Sequence, residues 1–221
     1  MPLILNIETS SPICSVCLAK DGIVIDYKED RSGNSHAKIL TVFIDELMRN
    51  NHFTYNHLDA VAISAGPGSY TGLRIGTSTA KGLCYAMNKP LIAIPTLLTL
   101  AIGIQKKVNS SSGFLLPVID ARRMDIYTAL FDSQFNEVLK TFFATADKDF
   151  EKTLASYPEV YVGGSAVSKC KDVFSPAQFR FIDGVDCDSR LLADVAEKKF
   201  AAKQFEDVAW FPPFYLKEFG K

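Results

Sequence analysis

Three short apolar runs precede the first helical pattern in this chain, and that order restricts the fold more than any other feature. The runs are Leu3–Ile7, Ile13–Ala19 and Ile23–Tyr27, with Lys20-Asp21-Gly22 between the last two. Asp-Gly between β-rich runs marks a tight hairpin, so the chain should open with three consecutive antiparallel strands. Asn34-Ser35 can cap a helix running from His36 to about Asn50, with Leu40, Phe43, Leu47 and Met48 on one face. Ala60–Ser64 then reads as a buried strand, Thr71–Met87 as a helix and Leu91–Ile94 as a strand, and Pro95-Thr96 starts a helix lasting to about Lys107. The polar segment Asn109–Gly113 is the clear break in composition, which divides the chain into an N-terminal lobe, 1–108, and a smaller C-terminal lobe, 109–221. Beyond it, Leu115–Ile119, Ile126–Phe131 and Glu137–Phe142 again place strands ahead of helices. Val160–Val162 is a strand leading into Gly163-Gly164-Ser165, Arg190–Phe205 reads as a helix, and Val208–Lys221 is an aromatic tail expected on the first lobe. The class is α/β, with two lobes each built on a mixed sheet and flanking helices.

Composition narrows the function. A chain of 221 residues, 48% hydrophobic, can bury a substantial core. Its formal net charge of −1 gives no electrostatic footprint for binding nucleic acid alone. MPLILNIETSS lacks the basic start of a signal peptide, and no run approaches the roughly 20 apolar residues that span a bilayer. A cytoplasmic protein with no membrane partner is expected. The five cysteines are odd in number and scattered, which argues against a disulfide framework. Cys14 and Cys17 form a C-x-x-C on a strand, where residues three apart face opposite ways, so they read as structural thiols.

SAGPGSYTGLRIGTS, Ser64–Ser78, sets four glycines and a proline between a strand and a helix. Such turns often cradle phosphates. The P-loop lysine is missing, since Leu73-Arg74 follows Gly72, and the third glycine of a dinucleotide fingerprint falls where Thr71 stands. Gly72 and Gly76 are four apart on the helix, continued by Thr79, Ala80 and Leu83. Such spacing allows close approach of another helix or close packing on the protein's own sheet or first helix, and both readings stay open.

The strand-first plan, given twice, resembles the superfamily of sugar kinases, actin and Hsp70. SAGPGSYTGLRIGTSTAKGL is similar to the signature of the TsaB (YeaZ) family, supported by ILNIETSS, SHAKIL, PVIDARRMDIY, YVGGSA and PPFYLK. The resemblance covers nearly the whole chain and is looser in the latter half. It implies an actin-like ATPase fold and a non-catalytic paralogue of TsaD in tRNA threonylcarbamoyladenosine biosynthesis. The TsaD-like partner would transfer the threonylcarbamoyl group to the adenosine following the anticodon. A TsaE-like ATPase would join, tRNA would be met only through the complex, and the chain alone would form a homodimer. The implied docking surface is the first two helices, residues 36–50 and 70–87. It involves His36, Leu40, Phe43, Leu47, Tyr70, Gly72, Leu73, Arg74, Gly76, Thr79 and Leu83, with Tyr70, Arg74 and Lys81 as candidate anchors.

The residues themselves carry little catalytic chemistry. The catalytic paralogue's His-x-x-x-His metal pair falls, by alignment of the strands, on Thr96 and Leu100, which cannot replace two imidazoles. His36, His52 and His57 do not rebuild it. The superfamily's Asp-x-Gly-Thr phosphate turn is here Glu8-Thr9-Ser10-Ser11, and in the second lobe Asp120-Ala121-Arg122-Arg123. No catalytic or metal residue is assigned and no cofactor is expected. Weak ATP or ADP contact at Glu8, Thr9, Ser10, Gly163 and Gly164 stays open. The competing reading is a stand-alone ATPase or phosphotransferase of the same superfamily.

Overall fold

The computed structural model describes residues 1–33, 36–108 and 112–216. The expected cap at Asn34-Ser35 and part of the expected boundary at Asn109–Gly113 therefore lie outside the described residues. The chain forms two units: Met1–Thr96 together with the segment from Cys187, and Leu97–Asp186.

The first unit opens with β1 (Leu3–Glu8), β2 (Cys14–Lys20) and β3 (Ile23–Asp30). All three are antiparallel neighbours, as the hairpin signal demands. The turn works because Asp21 and Gly22 both take left-handed φ, 53° and 74°, the geometry a two-residue hairpin requires. Helix α1 (His36–Asn50), β4 (Ala60–Ser64), helix α2 (Tyr70–Met87) and β5 (Leu91–Ile94) complete the sheet, whose order is β3-β2-β1-β4-β5 with β4 parallel to both β1 and β5. β4 and β5 are buried throughout, so they read as continuous apolar runs, whereas the edge strand β3 is only half covered. Leu40, Ile44, Leu47 and Met48 of α1 pack with Leu5, Ile7, Val16 and Leu18 of the sheet. Cys14 joins that cluster, while Cys17 Sγ points the other way, 3.3 Å from the Ser189 carbonyl.

The second unit takes most of α3 (Thr96–Val108) and repeats the plan with β6 (Phe114–Asp120), β7 (Asp125–Phe131), β8 (Glu137–Thr145), α4 (Lys148–Thr153), β9 (Val160–Gly163), α5 (Val167–Lys171) and β10 (Phe179–Ile182). Its order, β10-β9-β6-β7-β8, has the same antiparallel and parallel pairings as the first sheet. β10 is a strand that the sequence reading missed; its Phe-Arg-Phe-Ile alternation is the signal. The division also differs from the expected one at residue 108, because Ile104 of α3 packs against Gly163 in the second unit.

The expected helix over 190–205 is shorter. A 3₁₀ turn at Ser189–Leu192 leads into α6 (Ala193–Ala201), and the chain then reverses at Lys203 with φ 54°. It crosses to the edge of β5, where Glu206 N–H donates to the Leu91 carbonyl at 2.9 Å.

Candidate functional site

The glycine-rich stretch joins β4 to α2, and its backbone donors are already engaged within the unit. Ala65 N–H donates to the Ile94 carbonyl, Gly66 N–H to Thr96 Oγ1, and Ser69 N–H to the Ser10 carbonyl at 2.6 Å. Ser69 is the N-cap of α2, accepting from Gly72 N–H at 3.3 Å. A phosphate cradle needs those N–H groups pointing outward, so this loop is a structural joint.

The glycines explain why α2 can lie so close. A Cβ on Gly72 would stand 2.0 Å from the Thr9 carbonyl oxygen, one on Gly76 2.2 Å from Thr9 Oγ1, and one on Gly68 2.4 Å from the Ser10 carbonyl oxygen. The helix therefore presses onto the turn that ends β1. Of the two readings of Gly72 and Gly76, the structure selects packing on the protein's own sheet.

That contact seals the turn. Glu8, Thr9 and Ser10 are all buried, which corrects the reading of them as nucleotide contacts. Glu8 Oε1 accepts from the Ser10 amide and hydroxyl at 2.7 and 2.6 Å. Burial nevertheless pushes the Glu8 carboxyl above its ordinary range, partly offset by those bonds. The other two nucleotide candidates have packing explanations too. Gly163 makes room for Ile104, and Gly164, at φ 125°, brings its backbone onto Val118, whose carbonyl oxygen a Cβ would meet at 2.3 Å. Arg122 and Arg123, both at left-handed φ, form a hairpin tip between β6 and β7 instead of a phosphate turn.

The donors of the paralogue's metal site do not fit a metal here. Thr96 is buried, its hydroxyl 2.8 Å from Ser64 Oγ, and Leu100 is buried apolar. Among the described residues no group of three or more His, Cys, Asp or Glu side chains could hold an ion. No helix of the described residues is long and apolar enough to cross a membrane.

The expected docking residues fall into two sets. Leu40, Leu47, Gly72, Leu73 and Gly76 are interior, a correction, because side chains without exposed surface cannot contact a partner. His36 is also buried, with Nε2 2.9 Å from the Ser11 carbonyl, and serves as an internal link. Phe43, Thr79 and Leu83 are half-buried, Phe43 and Leu83 packing against the core beside Ile39 and Ile75. Arg74 is exposed, its guanidinium 5.3 Å over the Tyr70 ring and donating to Tyr70 Oη.

The outer face of α2 is Thr71, Arg74, Ser78, Gly82 and Tyr85, all exposed, spaced three or four apart and diametrically opposite the buried glycines. A Cβ on Gly82 would meet nothing within 4 Å. On α1 the outer row is Lys38, Val42, Asp45 and Arg49, with Val42 49% exposed. The sequence reading missed Val42, Ser78, Gly82 and Tyr85; helical phase relative to the apolar face would have found them. Tyr85 and Trp210, 85% and 83% exposed, are the most open aromatics among the described residues.

Comparison with known proteins supplies the context. The sequence profile described as TsaD, tRNA N6-adenosine threonylcarbamoyltransferase, matches residues 30–210. The tRNA threonylcarbamoyladenosine biosynthesis protein TsaB of Escherichia coli (strain K12) is 32% identical over 135 residues, 61% of this chain and 57% of that protein. The match thus spans little more than half the relative's length. YeaZ from Pseudomonas aeruginosa superposes with a TM-score of 0.83 at 20% identity, covering 98% of this chain and 100% of that one. A polyphosphate/ATP-glucomannokinase from Arthrobacter sp. strain KM gives 0.53 at 12% identity, covering 92% and 100%.

The fold is therefore that of the actin-like ATPase and sugar kinase superfamily. Within it, the chain belongs to the TsaD-type threonylcarbamoyltransferase family, on its TsaB (YeaZ) branch.

Proposed function

We propose that this chain is a non-catalytic partner subunit in tRNA threonylcarbamoyladenosine synthesis, docking a TsaD-like catalytic subunit through the outer faces of α1 and α2. The observation that carries the reading is the open α2 face, where Ser78 and Gly82 offer a small-residue surface flanked by exposed Arg74 and Tyr85. Small residues four apart let a second helix approach closely, and Tyr and Arg are the residue types that anchor interfaces. The sealed turn after β1 and the missing metal donors favour a supporting role over a catalytic one. The same face would serve a second copy when the partner is absent. A TsaE-like ATPase and tRNA are met within that complex, in the cytoplasm.

The test is co-elution with the TsaD-like subunit. Ser78→Arg and Gly82→Arg should each abolish association and tRNA modification in a reconstituted reaction, with the unfolding midpoint of the isolated chain unchanged. Normal association by both variants would refute the docking face. Robust ATP turnover by the chain alone would favour the stand-alone ATPase reading instead.

A further inference from the structure

A groove beside α2 has a chemistry that partner docking does not use. The segment after α6 runs along this helix, and Phe214 N–H donates to the Ala65 carbonyl at 2.7 Å. Between helix and segment lies a groove of about 500 Å³, walled by Arg74, Thr77, Ser78 and Lys81 on one side and Phe211 and Tyr215 on the other. No carboxylate lines it. Lys81 Nζ donates to the carbonyls of Ala209 and Phe211, at 3.0 and 3.1 Å. Among the described residues, neither Arg74 nor Lys81 pairs with an acidic side chain.

Thr77 supplies a second, independent observation. It is 5% exposed, lines the groove, and its Oγ1 is buried without a partner among the described residues. An orphaned buried hydroxyl is costly and calls for an acceptor.

We propose that this groove binds a small phosphorylated compound bearing a planar ring, of the nucleoside diphosphate class. Two cations and two hydroxyls on one helical face are the donor set for an anion. Arg74 and Lys81 are seven residues apart, about 10.5 Å along the axis, a span suited to a diphosphate held at both ends. Phe211 and Tyr215 offer apolar surface to the ring. This place is distinct from the superfamily's phosphate turn, which α2 covers.

The experiment titrates the full-length chain with ADP and with pyrophosphate. It is followed by calorimetry and by fluorescence of Trp210, the only tryptophan, one residue before Phe211. Saturable ADP binding is expected, with pyrophosphate weaker. Arg74→Gln should weaken ADP about tenfold, while Ser10→Ala in the superfamily turn leaves it unchanged. Lys81→Gln should act in the same direction but also loosens the segment it holds, so Arg74→Gln, on an exposed side chain, decides. Absence of binding by either probe, unchanged affinity in Arg74→Gln, or loss in Ser10→Ala would overturn the site. Equal affinity for both probes would overturn the ring assignment.

Discussion

Changing Gly72 to alanine should destabilise this protein, although the same change in a helix interior normally helps. Alanine at such a position gains about 1 kcal/mol over glycine. Here the new Cβ would stand 2.0 Å from the Thr9 carbonyl oxygen and 3.3 Å from Ser69 Cβ. An unstrained carbon-to-oxygen contact sits near about 3.3 Å, so a backbone must yield by about 1.3 Å. The obstacle is main chain, and the turn around it is tied by Ser69 N–H to Ser10 and by Ser10 to Glu8. Overpacking of this severity costs about 3 kcal/mol, which leaves a net loss of about 2 kcal/mol once the helix gain is subtracted. That corresponds to a fall of about 4–8 °C in Tm for a chain of this size. Gly82→Ala is the control, because its Cβ would meet nothing within 4 Å; it should raise Tm by about 2–4 °C. Thermal unfolding by circular dichroism, with Trp210 fluorescence reporting on the first unit, measures both. If Gly72→Ala melts at or above the wild-type temperature, α2 does not press on Thr9 and the packing account fails.

The buried Glu8 predicts a pH dependence. Its folded pKa lies above the ordinary value of 4.5 because of burial, so the folded state holds the proton more tightly than the unfolded one. The associated stability is present below about pH 4.5 and lost as pH climbs through the raised value. Urea unfolding from about pH 5 upward should show declining stability in the wild type and a flatter profile in Glu8→Gln; parallel profiles would show that the carboxyl is already ionised in place. Burial also pushes the thiols of Cys14, Cys17 and Cys170 up to about 12 and that of Cys84 to about 11, and Cys187 is buried as well. The native chain should therefore resist Ellman's reagent at about pH 8 and react fully in guanidinium, and prompt reaction without denaturant would contradict this burial.

Much of the architecture was legible before any coordinates. Asp21-Gly22 announced its hairpin because few residues tolerate two consecutive left-handed φ values. The apolar rows of α1 and the runs of β1, β4 and β5 announced burial because the side-chain period of an element is set by its own backbone. These are local properties, and the strand-first order built from them was enough to suggest the superfamily. The quoted motifs pointed to the family.

What faces what was not legible. Gly72 and Gly76 signal a close approach, but glycine carries no mark of the neighbour it admits. Only the parallel pairing of β1 with β4 brings the turn after β1 beneath α2, and this turned an expected docking pair into an internal joint. The same tertiary contact buried Glu8, Thr9 and Ser10 and left Ser78, Gly82 and Tyr85 on the open side. The groove beside Arg74 and Lys81 likewise exists because a segment more than a hundred residues downstream crosses α2. The sequence by itself determined the elements and their order, since those follow from backbone preference and side-chain period. Tertiary structure alone decided which faces are closed and which remain free, because burial depends on partners distant in the chain.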